Sequence, residues 1–287
     1  MDHDKAATGR PALCPAPVAA RRQNRAVRAT ARLMPDKATA RQAAWHFLFQ
    51  VILPPSGRWG FISVGKNAST STLKLLYQAE FGHALSADAK PDHDINPEAA
   101  VHMLAEHGVF TRALWQGLAA RDLTGSGGPA ERLAIVREPL ARAVSGFRYI
   151  GKSHRARSQW FARDRFRMDA VVGFDWDSHP DTADGFRRFL DYIAWQIDRD
   201  GADAVDAHWQ PQATFIKPDI FKPTLQGRME EMDVFYASLA DRLGFALPEG
   251  GSWSNRQSSG TAPFAPDAAA IRQVREIYAE DYERFGY

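Results

Sequence analysis

The chain has 287 residues, 45% of them hydrophobic, and a formal net charge of +2. That length and apolar content suit one medium-sized globular domain, with or without an appended segment. The near-neutral balance gives no reason to expect nucleic acid as a partner, and no apolar run approaches the roughly 20 residues that span a bilayer.

Charge is nonetheless uneven along the chain. The stretch "APVAARRQNRAVRATARLMPDKATARQ" is rich in Ala, Arg and Pro and poor in large apolar residues. Residues 1–42 therefore read as a basic arm, disordered or weakly helical, ahead of a single domain at 43–287. Such an arm leaves peripheral contact with an anionic membrane surface open. The only cysteine, Cys14, falls within it, so no disulfide can form inside the chain, and zinc-type Cys/His spacing is absent. "WHFLFQVILPP" is too short to span a membrane and lacks the setting of a signal peptide. The expectation is a cytoplasmic protein, at most membrane-peripheral, with no metal ligand set.

In chain order, "WHFLFQVILPP" predicts a helix or strand entering the core and stopped by Pro54-Pro55. "RWGFISVG" predicts a short buried strand. From Ser69 the pattern turns helical, with Thr72, Leu75, Leu76 and Ala79 in phase and Gly82 as the stop. A helix is expected near Pro97, with Asn96 as its N-cap. "ERLAIVREP" predicts a second buried strand ending at Arg137, after which Pro139 opens a helix with Leu140, Ala143, Val144 and Phe147 as its apolar stripe. The Arg-rich stretch from Lys152 to Arg167 reads as a surface segment. "ADGFRRFLDYIAWQIDRD" and "MEEMDVFYASLADRLGF" are amphipathic helices, separated by a short strand in "DIFKPTLQG", and one last helix closes the chain. Short strands alternating with helices indicate an α/β fold: a P-loop-like, largely parallel sheet flanked by helices.

Two stretches carry chemistry. In "FISVGKNASTSTLKLLYQ" a strand, a tight loop and a helix start direct backbone N–H groups and a helix N-terminus at one spot, which attracts a phosphate or sulfate. Lys66 adds a cation, and Ser69, Thr70, Ser71 and Thr72 add hydroxyls. The nucleotide-hydrolase pattern G-x-x-x-x-G-K-[ST] is not met, since Phe61 stands where its first glycine belongs and Asn67 follows the lysine, which disfavours a metal-dependent kinase. The competing reading is an ordinary turn in which Ser and Thr serve as caps. In "IVREPLARAVSGFRY", Arg137 ends the second strand, while Ser145 and Arg148 share one face of the next helix. Two anion-type sites at the carboxyl ends of two parallel strands lie where open α/β sheets bind ligands.

Together these stretches resemble the sulfotransferases, specifically the Golgi-type carbohydrate sulfotransferases and their bacterial relatives. The resemblance rests on the loop Gly65-Lys66-Asn67-Ala68-Ser69-Thr70-Ser71, on "VREPLARAVSGFR", and more weakly on "HWQPQ" and the chain end. It implies that the loop holds the 5′ end of 3′-phosphoadenosine 5′-phosphosulfate. It further implies that Arg137 and Ser145, with Arg148 as a helper, hold the 3′-phosphate, and that no metal takes part. Gly65 stands where the family has proline, and the cysteines that often follow the "HW" segment are missing.

Sulfuryl transfer to a hydroxyl then needs Lys66 at the leaving phosphate and a base. Four histidines compete for that role: His93, His102, His107 and His208, with His208 and His93 preferred. The expected acceptor is a carbohydrate hydroxyl, and the arginines between Arg155 and Arg167, with Trp160, could line a groove for an acidic polysaccharide. A non-catalytic nucleotide-binding relative and a P-loop-like kinase are the alternatives.

Overall fold

The computed structural model of the chain describes residues 13–89, 95–248 and 264–287. Its first half contains helices α1 (Ala20–Ala31) and α2 (Ala40–Gln50), strands β1 (Val51–Leu53) and β2 (Trp59–Ile62), helix α3 (Ser69–Phe81), strand β3 (Thr111–Arg112), helix α4 (Ala120–Thr124) and strand β4 (Glu131–Val136). Helices α5 (Pro139–Arg155), α6 (Ala162–Val172), α7 (Ala183–Asp200), α8 (Gln212–Ile216) and α9 (Pro218–Phe221) follow. Strand β5 (Leu225–Arg228) and helices α10 (Met232–Leu243), α11 (Ala268–Ile277) and α12 (Ala279–Phe285) complete the chain.

The five strands form one sheet in the order β3-β1-β2-β4-β5. The pairs β2–β4 and β4–β5 are parallel, with Ile62 opposite Ala134 and Val136 opposite Arg228. Strand β1 runs antiparallel to both its neighbours. Alternate residues of β4 enter different cores. Leu133 and Ile135 pack with Leu73, Leu76 and Tyr236, whereas Ala134 and Val136 pack with Phe47, Leu48 and Ile216. Helices therefore cover both faces, which is why the strands read as apolar runs rather than alternating ones. A third core, of Phe147, Phe174, Phe186, Phe189, Trp209 and Tyr278 among others, contains no strand residue; it joins α5, α6, α7 and α11 beyond the sheet.

The chain is thus α/β, as its alternation of elements implies, but three elements depart from the sequence reading. The basic stretch is not a separate arm from Cys14 onward. Cys14 N–H donates to the Gly108 carbonyl at 3.0 Å, and Val18 N–H to Trp115 O at 2.7 Å. Helix α1 buries Ala26, Val27, Thr30 and Ala31, and Thr30 Oγ1 accepts the Ala120 N–H at 3.0 Å. Small side chains let this helix sit close on its neighbours, so it needs few large apolar residues to dock. The portion of the expected arm at residues 1–12 lies outside the described residues.

Instead of a helix from Pro97 there is a single 3-10 segment, Ala99–Leu104, capped by Glu98. Asn96 Oδ1 accepts the Glu98 N–H at 3.1 Å, a local turn that competes with a helical start. The last helix is two, broken at Tyr278, whose buried hydroxyl donates to Trp209 O at 2.8 Å.

Candidate active site

The parallel pairing of β2 and β4 brings two loops to one edge of the sheet. The loop after β2 turns sharply, with Lys66 at φ 70° and Ala68 at φ 54°. Ala68 caps α3 with no side-chain hydrogen bond. The first-turn N–H groups of α3 are therefore not taken by a Ser or Thr cap, unlike those of α5, where the Glu138 carboxylate accepts Leu140 N at 3.1 Å and Ala141 N at 2.6 Å. An uncapped N-terminus of a 13-residue helix, behind a loop with two left-handed residues, fits an anionic group.

The loop after β4 touches it directly. Arg137 Nη1 donates to the Lys66 carbonyl at 3.2 Å. Burial pulls the Arg137 guanidinium below its ordinary range, against the opposing charges of Glu230 and Glu138. A cation so poorly hydrated favours an anionic partner.

Gln212, at the start of α8, ties the two loops together. Its Oε1 accepts from Asn67 Nδ2 at 2.7 Å and from the Arg137 N–H at 2.9 Å, and its Nε2 donates to Arg137 O at 2.8 Å. Asp281 on α12 closes the network by accepting the Gln212 and Ala213 N–H groups at 2.8 and 2.7 Å. Burial pushes the Asp281 carboxyl up, and those two backbone bonds and nearby Arg142 hold it back in part. Asn67 is 1% exposed and spends its amide inward, on Gln212 and on Ile135 O at 2.7 Å. Its side-chain amide braces the loop from behind.

Thr70 Oγ1 is likewise engaged, with His102 Nε2 at 3.2 Å, and Thr72 Oγ1 lies 3.3 Å from Tyr236 OH. Gly65, Ser69 and Ser71 are half-buried along the loop and first turn. Ser145 and Arg148 are half-buried on α5, and their side chains make no hydrogen bond to a described residue.

The expected apolar stripe of α5 packs in the third core, with Ala143 and Phe147 buried and Leu140 and Val144 half-buried against it. A second row at helical spacing, Arg142, Gly146, Tyr149 and Ser153, is buried as well. Arg142 is 1% exposed and donates to three carbonyls: Gly65 at 3.2 Å, Gln210 at 2.8 Å and Ala207 at 2.8 Å. Burial lowers its pKa from the usual guanidinium range. It binds segment 207–210 to the Lys66 loop.

A Cβ at Gly65 would stand 3.0 Å from Ala207 O and 3.2 Å from His208 Cα, and one at Gly146 would stand 3.1 Å from His208 O. The glycines are what let two elements close on His208.

His208 is consequently near Lys66. Its ring stacks on Tyr149 at 5.3 Å, and the Lys66 ammonium sits 3.7 Å from the centroid of the same Tyr149 ring. Phe161 meets His208 edge-on at 5.0 Å, and Trp160 lies at 6.5 Å. Asp206 Oδ1 accepts both the His208 N–H at 2.9 Å and a bond from Nδ1 at 2.7 Å. Burial alone would push the Asp206 carboxyl up; the His208 charge and its two hydrogen bonds outweigh this and hold it below the ordinary carboxylate range. An ionised Asp206 can only accept, so Nδ1 carries the proton and a neutral ring has its lone pair on Nε2.

Of the other histidines, His102 pairs with Thr70, His107 is exposed, and His93 lies outside the described residues. Asp206, Arg142 and Gln212 are the residues that sequence reasoning missed. Gln212 closes the "HWQPQ" stretch, so a signal was present; Arg142 reads as one more exposed helix arginine.

No group of His, Cys, Asp and Glu among the described residues is placed to hold a metal ion, and no described helix is long and apolar enough to cross a membrane. Comparison with curated proteins and with solved structures returned no match. A family model described as "Sulfotransferase family" matches residues 61–287, a span that runs from β2 to the last residue and includes both loops, Arg142, the Asp206–His208 pair and Gln212. With most of its length covered, the chain belongs to the sulfotransferase family.

Proposed function

We propose that the protein transfers a sulfuryl group from 3′-phosphoadenosine 5′-phosphosulfate to a hydroxyl of a carbohydrate acceptor. The observation that carries this reading is the meeting of the two loops: Arg137 donates to the Lys66 carbonyl while the Lys66 ammonium rests on Tyr149 beside His208. Family membership supports sulfuryl transfer in general; the donor and the acceptor class are our inference.

The donor carries the sulfuryl group on its 5′-phosphate and a second phosphate at the 3′ position. The α3 N-terminus, Lys66, Ser69 and Ser71 would hold its 5′ end, and Arg137 with Ser145 and Arg148 its 3′-phosphate. Lys66 places positive charge where a bridging phosphate oxygen gains negative charge, which is the larger part of what this class of transfer asks of a protein. His208 Nε2 takes the acceptor's hydroxyl proton, and Asp206 fixes the ring and its tautomer through Nδ1. Tyr149, stacked on the ring, and Phe161, edge-on to it, cover part of the imidazole.

The acceptor reading rests on Trp160, 36% exposed at the rim beside His208, whose face suits a sugar ring. The arginine groove is smaller than the sequence implies. Arg155 pairs with Asp181 at 2.8 Å, Arg163 lies 3.8 Å from the Asp164 carboxylate, and Arg165 turns inward onto Ser153 and the Trp160 carbonyl, leaving Arg157 and Arg167. Radiolabelled sulfate supplied as 3′-phosphoadenosine 5′-phosphosulfate, offered with a panel of neutral and acidic oligosaccharides, tests the reading. Label should appear on at least one sugar and be lost in His208→Gln; a protein that binds the nucleotide but labels nothing is a non-catalytic binder.

A further inference from the structure

Behind the Asp206–His208 pair lies a second cavity, of about 230 Å³, between α2, α8 and segment 203–207. Phe47 and Phe215 form apolar walls, and Gln50, Gln210, Thr214 and Asp206 supply polar groups. Gln210 is only 6% exposed, yet its side-chain amide makes no hydrogen bond to a described residue, and the same holds for the Gln50 amide and the Thr214 hydroxyl. Gln50 and Thr214 are half-buried, and none of these side-chain atoms is sealed from solvent, so water or a ligand entering the cavity can bond to each of them. Asp206 is in a similar position at one atom. Both bonds from His208 go to Oδ1, and Oδ2 has no hydrogen-bond partner among the described residues.

The charges of the cavity are already balanced. Lys217 pairs with Asp203 at 2.6 Å and also donates to Thr214 O at 2.9 Å, while Asp206 faces His208. A charged ligand would have to disrupt one of these pairs in a half-buried setting, at a desolvation cost. What remains on offer is two amides, a hydroxyl and a carboxylate oxygen above two aromatic walls. That combination suits a small uncharged ring carrying several hydroxyls, with a polar edge and an apolar face.

We propose that this cavity is a binding site for a neutral polyhydroxylated ring the size of a monosaccharide or cyclitol, distinct from the acceptor position at His208 Nε2. A ligand hydroxyl donating to Asp206 Oδ2 makes occupancy of the cavity felt at the base, because the same carboxylate orients His208. The binding claim is independent of the proposed sulfuryl transfer; only its consequence for catalysis rests on that reading.

Isothermal titration calorimetry of the full chain with D-ribose, D-glucose and myo-inositol tests the site. Saturable millimolar binding of at least one is expected. Thr214→Val and Gln210→Leu each remove one donor or acceptor and should weaken it about tenfold, the size of one hydrogen bond. Glucose 6-phosphate should bind more weakly than glucose. The proposal is overturned if none of the three gives a saturable signal, if neither variant changes the affinity, or if the phosphorylated sugar binds more tightly. The first result would mean that the cavity holds water only. Thr214→Val changes no packing volume to speak of, so it keeps the test open should Gln210→Leu not fold.

Discussion

Gln212 engages the backbone of Arg137 from both sides, accepting its N–H at 2.9 Å and donating to its carbonyl at 2.8 Å, as a neighbouring strand would. The bend that ends β4 is therefore held by one side chain, which also holds Asn67 of the other loop. Positioning of the two anion-directed loops depends on α8 and α12 as much as on the sheet.

Removing that amide takes from the part-buried Arg137 N–H and carbonyl the bonds Gln212 makes to them, and leaves Asn67 Nδ2 with Ile135 O alone. Gln212→Ala should lower the unfolding free energy by about 2–4 kcal/mol, since each orphaned group costs about 1–3 kcal/mol. Urea denaturation followed by circular dichroism checks this. Stability within about 0.5 kcal/mol of wild type would mean that the clamp carries no weight.

Gly65→Ala places a methyl against the Ala207 carbonyl and the His208 backbone. Neither backbone can give way without disturbing Arg142, so the expected loss is about 1–3 kcal/mol. Transfer activity should fall further than stability explains, because the displaced segment carries His208, the proposed base. Thermal melts and turnover measured on the same preparation separate the two effects.

Asp206→Asn removes the charge that faces His208 while keeping the shape. Turnover should fall by about 100-fold or more, with donor affinity little changed. The same variant reads out linkage. Because the folded-state pKa of Asp206 is depressed, its contribution to stability is present above the ordinary carboxylate pKa and is lost as pH falls through the lower, folded value. The stability gap between wild type and Asp206→Asn should thus be full at pH 6 to 7 and shrink on acidification below about 4. A gap that widens on acidification would contradict the assignment.

Deleting residues 1–35 removes Ala26, Val27, Ala31 and Met34 from the core. The truncated chain should lose about 3 kcal/mol or more, and limited proteolysis should cut it where the full chain resists. Unchanged protease resistance would restore the picture of a separate arm.

Strands β2 and β4 and helices α3, α7 and α10 are legible in the sequence, because buried strands and amphipathic helices each carry a strong apolar period. Strand β5 is only partly so: the Ile220-Phe221 end of the expected strand is helical, and the strand itself is Leu225–Arg228, with one buried residue. Lys66, Arg137 and His208 were legible for another reason: each stands at an element end or in a short motif. Arg142 was not. Its helical neighbours Arg148 and Arg155 look the same in sequence, and only the close approach of α5 to segment 207–210, permitted by Gly146, turns it inward. Asp206 and Gln212 are single polar residues whose partners lie in other elements, so their roles follow from tertiary packing. The docking of helix α1 is not legible because its buried face is Ala26, Val27, Thr30 and Ala31, small side chains that a count of large apolar residues overlooks.

The central claim is that the Lys66 loop and Arg137 form one site for a doubly phosphorylated adenosine. Titration calorimetry with 3′,5′-adenosine bisphosphate, on wild type, Lys66→Ala and Arg137→Ala, tests it most directly. Wild type should bind it in preference to ATP, and each variant should bind about tenfold or more weakly, in line with about 1.5–3 kcal/mol for a charge-assisted bond. Equal affinity in all three proteins, or no binding by wild type, would contradict it.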